Sequence, residues 1–377
     1  MRRTFFIILA ALAAAPSFAA SLDTAEALGE ALFFDPDLSL NRSQSCATCH
    51  NPETGFADPR GAAEGAFSLG ADGRSLGGRN APAAGYAAYI PPFGRNGDGD
   101  WEGGLFWDGR AATLEDQAGG PPLNPIEMGM PSKAAVLQRL QENPAYTGAF
   151  PALYGGGVLD DPEAAFRALT QAIAAFERTD AFAPFDSKYD RFLRGEAELT
   201  KEEELGRLLF FSEQFTNCNQ CHQLKRSPAD PAETFSDYKY HNIGVPVNRA
   251  GRAVRGGKPG TVDSGLLNNP AVSDPAEQGK FRTPSLRNVA VTGPYMHNGI
   301  FRDLRTVVLF YNRYNSKDAA RQINPETGAV FGMPEVPHSL AVEKLTHGPA
   351  LDDRRIDALV AFLKSLTDRR YEHLLEE

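Results

Sequence analysis

Cys46-Ala47-Thr48-Cys49-His50 and Cys218-Asn219-Gln220-Cys221-His222 decide how this chain folds. Two cysteines separated by two residues, with a histidine directly after the second, form the attachment pattern of a c-type haem. Each thiol adds across one vinyl group, and the adjoining imidazole ligates the iron from the proximal side. The spacing is forced, because two thioethers and one imidazole must reach a single macrocycle. The two pentapeptides use all four cysteines of the chain. The competing reading is a disulfide pair or a zinc cluster. Zinc sites built from two such pairs usually sit in small compact modules. Here the pairs lie far apart, and each carries its own histidine.

Working outward, the same lead-in precedes both motifs. Glu26-Ala27-Leu28-Gly29-Glu30-Ala31-Leu32-Phe33-Phe34 comes before the first, and Glu204-Leu205-Gly206-Arg207-Leu208-Leu209-Phe210-Phe211 before the second. Leu28, Ala31 and Leu32 share one helical face, as do Leu205, Leu208 and Leu209. Asp23 with Glu26, and Thr200 with Glu203, read as N-terminal caps. A helix followed by a haem pentapeptide opens a cytochrome c domain. The expected fold is therefore mainly α: two cytochrome c-like haem domains with long loops and little β-structure. The N-terminal haem domain is expected over 20–195 and the C-terminal one over 196–377. Further helices are expected over 132–146, 162–180, Phe185 to Leu193, Leu304 to Tyr314 and Arg354 to Leu366. Residues 55–125 and 223–280 are loop-rich, with many Gly, Pro and Asn in the first stretch. Asn96-Gly97-Asp98-Gly99-Asp100 superficially resembles a calcium loop. Trp107 stands where an EF-hand needs its bidentate Glu, so a surface turn is expected instead.

The 377 residues, 42% of them hydrophobic, suffice for one large core or two ordinary domains. A formal net charge of -10 argues against nucleic acid as a partner. Arg2 and Arg3, the apolar run Phe5 to Ala15 and the small residues of Ser17-Phe18-Ala19 read as a signal peptide over 1–19, cleaved near Ala19. No apolar run is long enough to span a bilayer. Export to the periplasm is expected, and it agrees with haem attachment, which takes place outside the cytoplasm.

A c-type haem iron needs a sixth ligand or an open site. The chain has seven His and five Met residues. No His occurs between His50 and His222, and the only Met residues between them are Met128 and Met130. The first iron is therefore expected to be five-coordinate, a place to activate peroxide or oxygen. Peroxide activation also needs a group that moves a proton between the two oxygens. Glu127, in Asn124-Pro125-Ile126-Glu127-Met128, is a candidate, though a lone loop Glu is more often solvated. Trp107 could relay an electron between two haems, or could simply be core.

Phe106-Trp107-Asp108-Gly109-Arg110-Ala111, Gln117 ten residues after that Trp, and Asn124-Pro125-Ile126-Glu127-Met128 resemble the bacterial di-haem cytochrome c peroxidase family. Thr283-Pro284-Ser285-Leu286-Arg287-Asn288-Val289-Ala290 and Thr292-Gly293-Pro294-Tyr295-Met296-His297-Asn298-Gly299 resemble it too. The resemblance covers essentially the whole mature chain. Within the family the chain looks like the branch that completes tryptophan tryptophylquinone in methylamine dehydrogenase. It lacks the first-domain His that the peroxidases carry. Tyr311, in Leu309-Phe310-Tyr311-Asn312, stands where the peroxidases have the Met ligand of the second haem. Tyr240 to Asn248, Pro184 to Asp190 and Leu366 to Tyr371 also look like that branch.

The resemblance implies two covalently bound haem c groups, on Cys46, Cys49, Cys218 and Cys221, with His50, His222 and Tyr311 as iron ligands. It implies Gln117, Glu127 and Pro121 in the distal pocket of the first haem and Trp107 between the haems. It implies a calcium ion held by Asn80, Thr292 and Pro294. The implied function is peroxide-driven formation of a high-valent di-haem state that oxidises a protein at a distance. A phenolate ligand suits such a state, because it favours high oxidation states of iron. Two other functions are weighed: a peroxidase that reduces hydrogen peroxide with electrons from a small cytochrome, and a non-catalytic electron-transfer cytochrome. One departure bears on the substrate. The branch has a Trp just before the second haem motif, whereas here Phe215-Thr216-Asn217 precede Cys218. Methylamine dehydrogenase precursor is thus one possible protein partner, and a small redox protein is another.

Overall fold

The computed structural model describes residues 21–60, 66–223, 232–256, 258 and 260–375. The expected signal peptide lies outside the described residues. The chain is mainly helical. The first half carries α1 (Ala25–Phe33), α2 (Cys46–Cys49), α3 (Leu114–Ala118), α4 (Gly120–Leu123), α5 (Lys133–Glu142), α6 (Pro144–Tyr154), α7 (Pro162–Glu177) and α8 (Lys188–Leu193). The second half carries α9 (Lys201–Phe210), α10 (Arg249–Val254), α11 (Leu304–Asn312), α12 (Val342–Leu345) and α13 (Asp353–Lys364). Strand structure among the described residues is confined to two antiparallel pairs of two-residue strands. They are β1 (Gly94–Arg95) with β2 (Trp101–Glu102), and β3 (Tyr240–His241) with β4 (Phe281–Arg282). Asn96 to Asp100 form the turn of the first hairpin. The Asn96 side chain accepts from the backbone N–H groups of Asp98 and Asp100.

The repeated lead-ins become the repeated helix crossing of each half. α1 lies on α7 at Gly29, and α9 lies on α13 at Gly206. A methyl group added at either glycine would collide with the carbonyl of Ala172 or Ala358, so only Gly lets the backbones approach this closely. Matching phenylalanines close each crossing. Phe33 meets Phe176 with ring centroids 5.5 Å apart, and Phe210 meets Phe362 at 5.2 Å. All four are buried, and each such burial stabilises the fold by about 1.5–3 kcal/mol. The first core gathers Leu28, Leu32, Phe33, Phe56, Leu169 and Phe176. The second gathers Leu209, Phe210, Phe235, Phe310, Leu359 and Phe362.

Three local expectations are corrected. The N-cap of α1 is Thr24, not Asp23. Thr24 is extended, a conformation its β-branched side chain favours, and its Oγ1 accepts from the Ala27 N–H at 3.2 Å. The helix expected over 132–146 is two helices, broken at Asn143. Pro144 holds the preceding residue extended, and the Asn143 side chain caps α6 by accepting from Ala145 N–H. The helices expected to reach Tyr314 and Leu366 stop at Asn312 and Lys364. The cap of α9 is the reciprocal Thr200–Glu203 box read from the sequence.

Buried polar contacts join the two halves. Arg79 reaches Asp108 at 2.8 Å and Asp263 at 2.6 Å, and Tyr86 Oη donates to Asp368 at 2.6 Å. Arg287 pairs with Asp190, both essentially without exposure. Isolated buried charges are costly unless paired, so these contacts fix how the halves meet.

Candidate haem sites

Each haem pentapeptide is held in the same way. Ser45 and Thr48 form a capping box that starts α2, and the His50 N–H donates to the Cys46 carbonyl at 2.9 Å. The Cys218–Gln220 turn starts from Asn217 in the left-handed region, and the His222 N–H donates to the Cys218 carbonyl at 2.9 Å. His50 Nδ1 lies 3.3 Å from the Phe56 carbonyl, and His222 Nδ1 lies 3.3 Å from the Phe235 carbonyl. Phe56 and Phe235 both have positive φ, 59° and 57°. That uncommon conformation is the same at both sites and turns each carbonyl toward its imidazole. A carbonyl that takes the Nδ1 proton leaves Nε2 for the metal. Burial lowers both histidine pKa values, which keeps the rings neutral and ready to ligate.

No disulfide joins the four cysteines. Burial pushes Cys46 up to about 12 and Cys49 up to about 11, and it raises Cys218 as well. Each cysteine pair sits beside its own buried histidine, the set that thioether attachment of a haem needs.

The second pentapeptide opens onto a deep, largely apolar cavity. Cys218, Cys221 and His222 lie on its wall, Val307, Val308 and Tyr311 come from α11, and Leu359 and Leu363 come from α13. Burial raises the Tyr311 pKa above that of an ordinary tyrosine, and Cys221 and Cys218 lie close enough to raise it further. The Tyr311 side chain lines the cavity together with Cys218, Cys221 and His222. A phenol on the cavity wall beside both attachment cysteines fits an iron ligand. Met296 also lines this cavity.

In the first half, Gln117 lies on α3, Pro121 on α4 and Glu127 in the turn that follows. The segment is tied together by the Met128 N–H donating to the Pro121 carbonyl and the Glu127 N–H donating to the Asn124 carbonyl. Burial raises the Glu127 pKa, while Arg110 and a hydrogen bond from Asn124 pull it down. Glu127 lies within electrostatic range of Cys49, where it adds slightly to the rise of that thiol's pKa. Met128 and Met130 are buried in the first core, 5% and 4% exposed, so packing already accounts for both.

Trp107 faces the second cavity, and its Nε1 donates to the Asn80 carbonyl at 2.7 Å. Asn80 binds across the halves. Its N–H donates to the His297 carbonyl at 2.9 Å, and its side-chain amide faces the Pro294 and Met296 carbonyls at 2.6 and 3.2 Å. Thr292 stands on the same loop, where its methyl faces Gly55. Sequence reasoning misses several residues here. The carbonyls of Phe56 and Phe235 carry no side-chain signal at all. His241 bonds Asp237 at 2.9 Å beside Cys221. Burial would lower the His241 pKa, but Asp237 and the Cys221 sulfur outweigh it and push it up to about 9.

Residues 23–198 match the family described as di-haem cytochrome c peroxidase. The methylamine utilization protein MauG of Paracoccus denitrificans is 55% identical over 356 residues, 94% of this chain and 91% of that protein. The chain belongs to the di-haem cytochrome c peroxidase family. The cytochrome c peroxidase Ccp of Escherichia coli is 33% identical over 289 residues, 76% of this chain and 53% of that protein. The crystal structure of the diheme peroxidase BthA from Burkholderia thailandensis superposes with a TM-score of 0.82 at 36% identity, covering 92% of this chain and 86% of that one. As a member of the di-haem cytochrome c peroxidase family with a MauG-type sequence, the chain is a haem-dependent peroxidase-type oxidoreductase with two c-type haems. That sets aside the non-catalytic electron carrier. No helix among the described residues is long and apolar enough to cross a membrane.

Proposed function

We propose that the chain is a periplasmic MauG-like enzyme that uses hydrogen peroxide to oxidise a protein substrate at a distance. Completion of tryptophan tryptophylquinone in a methylamine dehydrogenase precursor is the reaction we favour. When bound, the two haems supply peroxide cleavage at one iron and storage of oxidising equivalents across both. The observation that carries the proposal is the place of Tyr311 on the wall of the second cavity, beside Cys218, Cys221 and His222. With a haem on Cys218, Cys221 and His222, an anionic oxygen from Tyr311 would stabilise oxidised iron, which suits an iron that holds an oxidising equivalent rather than one kept reduced by a donor cytochrome. At the first site Glu127 is held in a setting that favours its protonated form, so it can give and take back a proton at the peroxide oxygens. Gln117 and Pro121 shape the same face. Trp107, on the second cavity and tied to Asn80, is the oxidisable ring between the halves.

A calcium ion at Asn80, Thr292 and Pro294 belongs to this proposal. Asparagine side-chain and backbone carbonyl oxygens are calcium-type ligands. With the amide turned over, Asn80 Oδ1 would crowd two carbonyl oxygens, an arrangement that a bound cation would stabilise. Export rests on the leader pattern over 1–19 and on haem attachment outside the cytoplasm.

Met296 supports a second reading. If its thioether rather than Tyr311 completes the second iron, that haem is easily reduced. The chain would then be a peroxidase fed by a small cytochrome. Stoichiometric peroxide added to the diferric protein separates the two readings. A long-lived spectrum oxidised by two equivalents, formed without prior reduction, supports the MauG-like activity. No spectral change, with rapid turnover once reduced cytochrome is supplied, refutes it.

A further inference from the structure

Two buried side-chain nitrogens on the wall of the second cavity, Arg282 Nε and His297 Nε2, have no hydrogen-bond partner among the described residues. Arg282, on β4, is 6% exposed and lines the cavity. Its Nε has no hydrogen-bond partner among the described residues, and its Nη1 reaches only the Thr283 carbonyl, at 3.4 Å. No carboxylate among the described residues pairs with it; the ionisable groups that act on it there are Tyr240 and Tyr238. A guanidinium does not shed its proton in a protein, and a buried charge without a counterion carries a heavy desolvation penalty. Arg79 shows the contrast, since Asp108 and Asp263 both neutralise it. His297 shares the Arg282 wall. It is 4% exposed, its Nε2 has no partner among the described residues, and its ring stacks on Phe281 with centroids 3.6 Å apart. Phe281 precedes Arg282 on β4, so one short strand sets both donors.

We propose that Arg282 and His297 hold the carboxylates of the second haem. The proposal rests on the reading that a c-type haem on Cys218, Cys221 and His222 fills this cavity. Haem c carries its two propionates on the pyrroles that have no thioether links, so its anionic edge points away from the two cysteines. The fork of Arg282 suits a carboxylate by two parallel hydrogen bonds, and His297 Nε2 adds one more donor. Asp263 and Glu335, the acids on this wall, are already bound, Asp263 by Arg79 at 2.6 and 2.7 Å and Glu335 by Arg252 at 2.6 Å, and are not the partners of Arg282. The Arg282 N–H donates to the Trp107 carbonyl at 3.0 Å. Binding the propionates there therefore sets the anionic haem edge beside Trp107, the ring that links the halves. Arg282 and His297 are positioning residues in this account.

The test uses the loaded holoprotein. Haem content is measured first, by pyridine haemochrome. A wild-type chain with one haem would defeat the underlying reading, whereas two haems leave the proposal to stand or fall alone. Arg282→Gln removes the charge. We expect the second haem to shift at least tenfold toward its oxidised form, a 59 mV fall in potential for one electron. The propionate bending modes in resonance Raman should move with it. Arg282→Lys should restore most of the potential but not the modes. Two haems with unmoved potential and unmoved modes in Arg282→Gln would overturn the proposal. Should that variant fail to load, the modes of Arg282→Lys and His297→Gln decide, and unmoved modes in both overturn it.

Discussion

Glu177 offers a quantitative test of how the first half is packed. It lies in the last turn of α7, 5% exposed, and its Oε2 has no hydrogen-bond partner among the described residues. Burial pushes its pKa from 4.5 up to about 8. Arg178 opposes the shift and Glu115 adds to it. Arg178 gives limited help because it is paired with Glu115 at 2.7 Å. Below pH 4.5 the carboxyl is protonated in both folded and unfolded chains, so it adds no pH dependence there. Between pH 4.5 and about 8 the unfolded chain ionises this group while the folded chain keeps its proton. Folded stability therefore falls as pH rises through that window, by about 1.4 kcal/mol per pH unit. The accumulated loss is on the order of 3 kcal/mol at neutral pH and levels off above the folded value. Glu177→Gln keeps the shape and cannot ionise. Its advantage over wild type should be near zero at the acid end and grow to about 3 kcal/mol near neutrality, roughly 2–4 °C in melting temperature per kcal/mol. Paired urea and thermal unfolding of the holoproteins across this range measures it. An advantage that stays flat with pH would refute the buried, unpaired carboxyl.

Tyr311→His should retain both haems and abolish the long-lived oxidised state after peroxide, read by stopped-flow absorbance. Glu127→Gln should slow the peroxide reaction by roughly 10²–10⁴-fold while leaving the second-haem spectrum unchanged, since general acid–base groups contribute about that much. Gly206→Ala forces a methyl into the Ala358 carbonyl and should destabilise the second half by about 1–3 kcal/mol, as overpacking does. Gly29→Ala should do the same to the first half, and circular dichroism melts check both.

The haem pentapeptides are legible in the sequence because covalent chemistry fixes their spacing. The helices that precede them are legible because one apolar face must be buried. What makes these elements a structure is carried by the backbone, where side-chain patterns are silent. Gly29 and Gly206 look like weak points of their helices until the crossings with α7 and α13 show that no other residue fits. Phe56 and Phe235 look like ordinary core, yet their left-handed backbones orient the carbonyls that hold His50 and His222. The split at Asn143 follows from Pro144, a local rule that the helical periodicity of the surrounding residues hides. Arg282 and His297 cannot be picked out from the sequence, because their importance lies in partners they lack. Tyr311 and Glu127 lie between these cases. Residue type makes each a candidate; the fold puts Tyr311 on one cavity wall with Cys218 and Cys221 and leaves Glu127 within electrostatic range of Cys49.

The central claim is that the two haems are unequal, one open on His50 and one closed between His222 and Tyr311. Low-temperature electron paramagnetic resonance of the diferric protein, beside Tyr311→Phe, tests it most directly. The account predicts one high-spin and one low-spin iron in the wild type, with the low-spin signal lost in Tyr311→Phe. A low-spin signal that survives the substitution would mean that another residue, such as Met296, closes the second haem, and would contradict it.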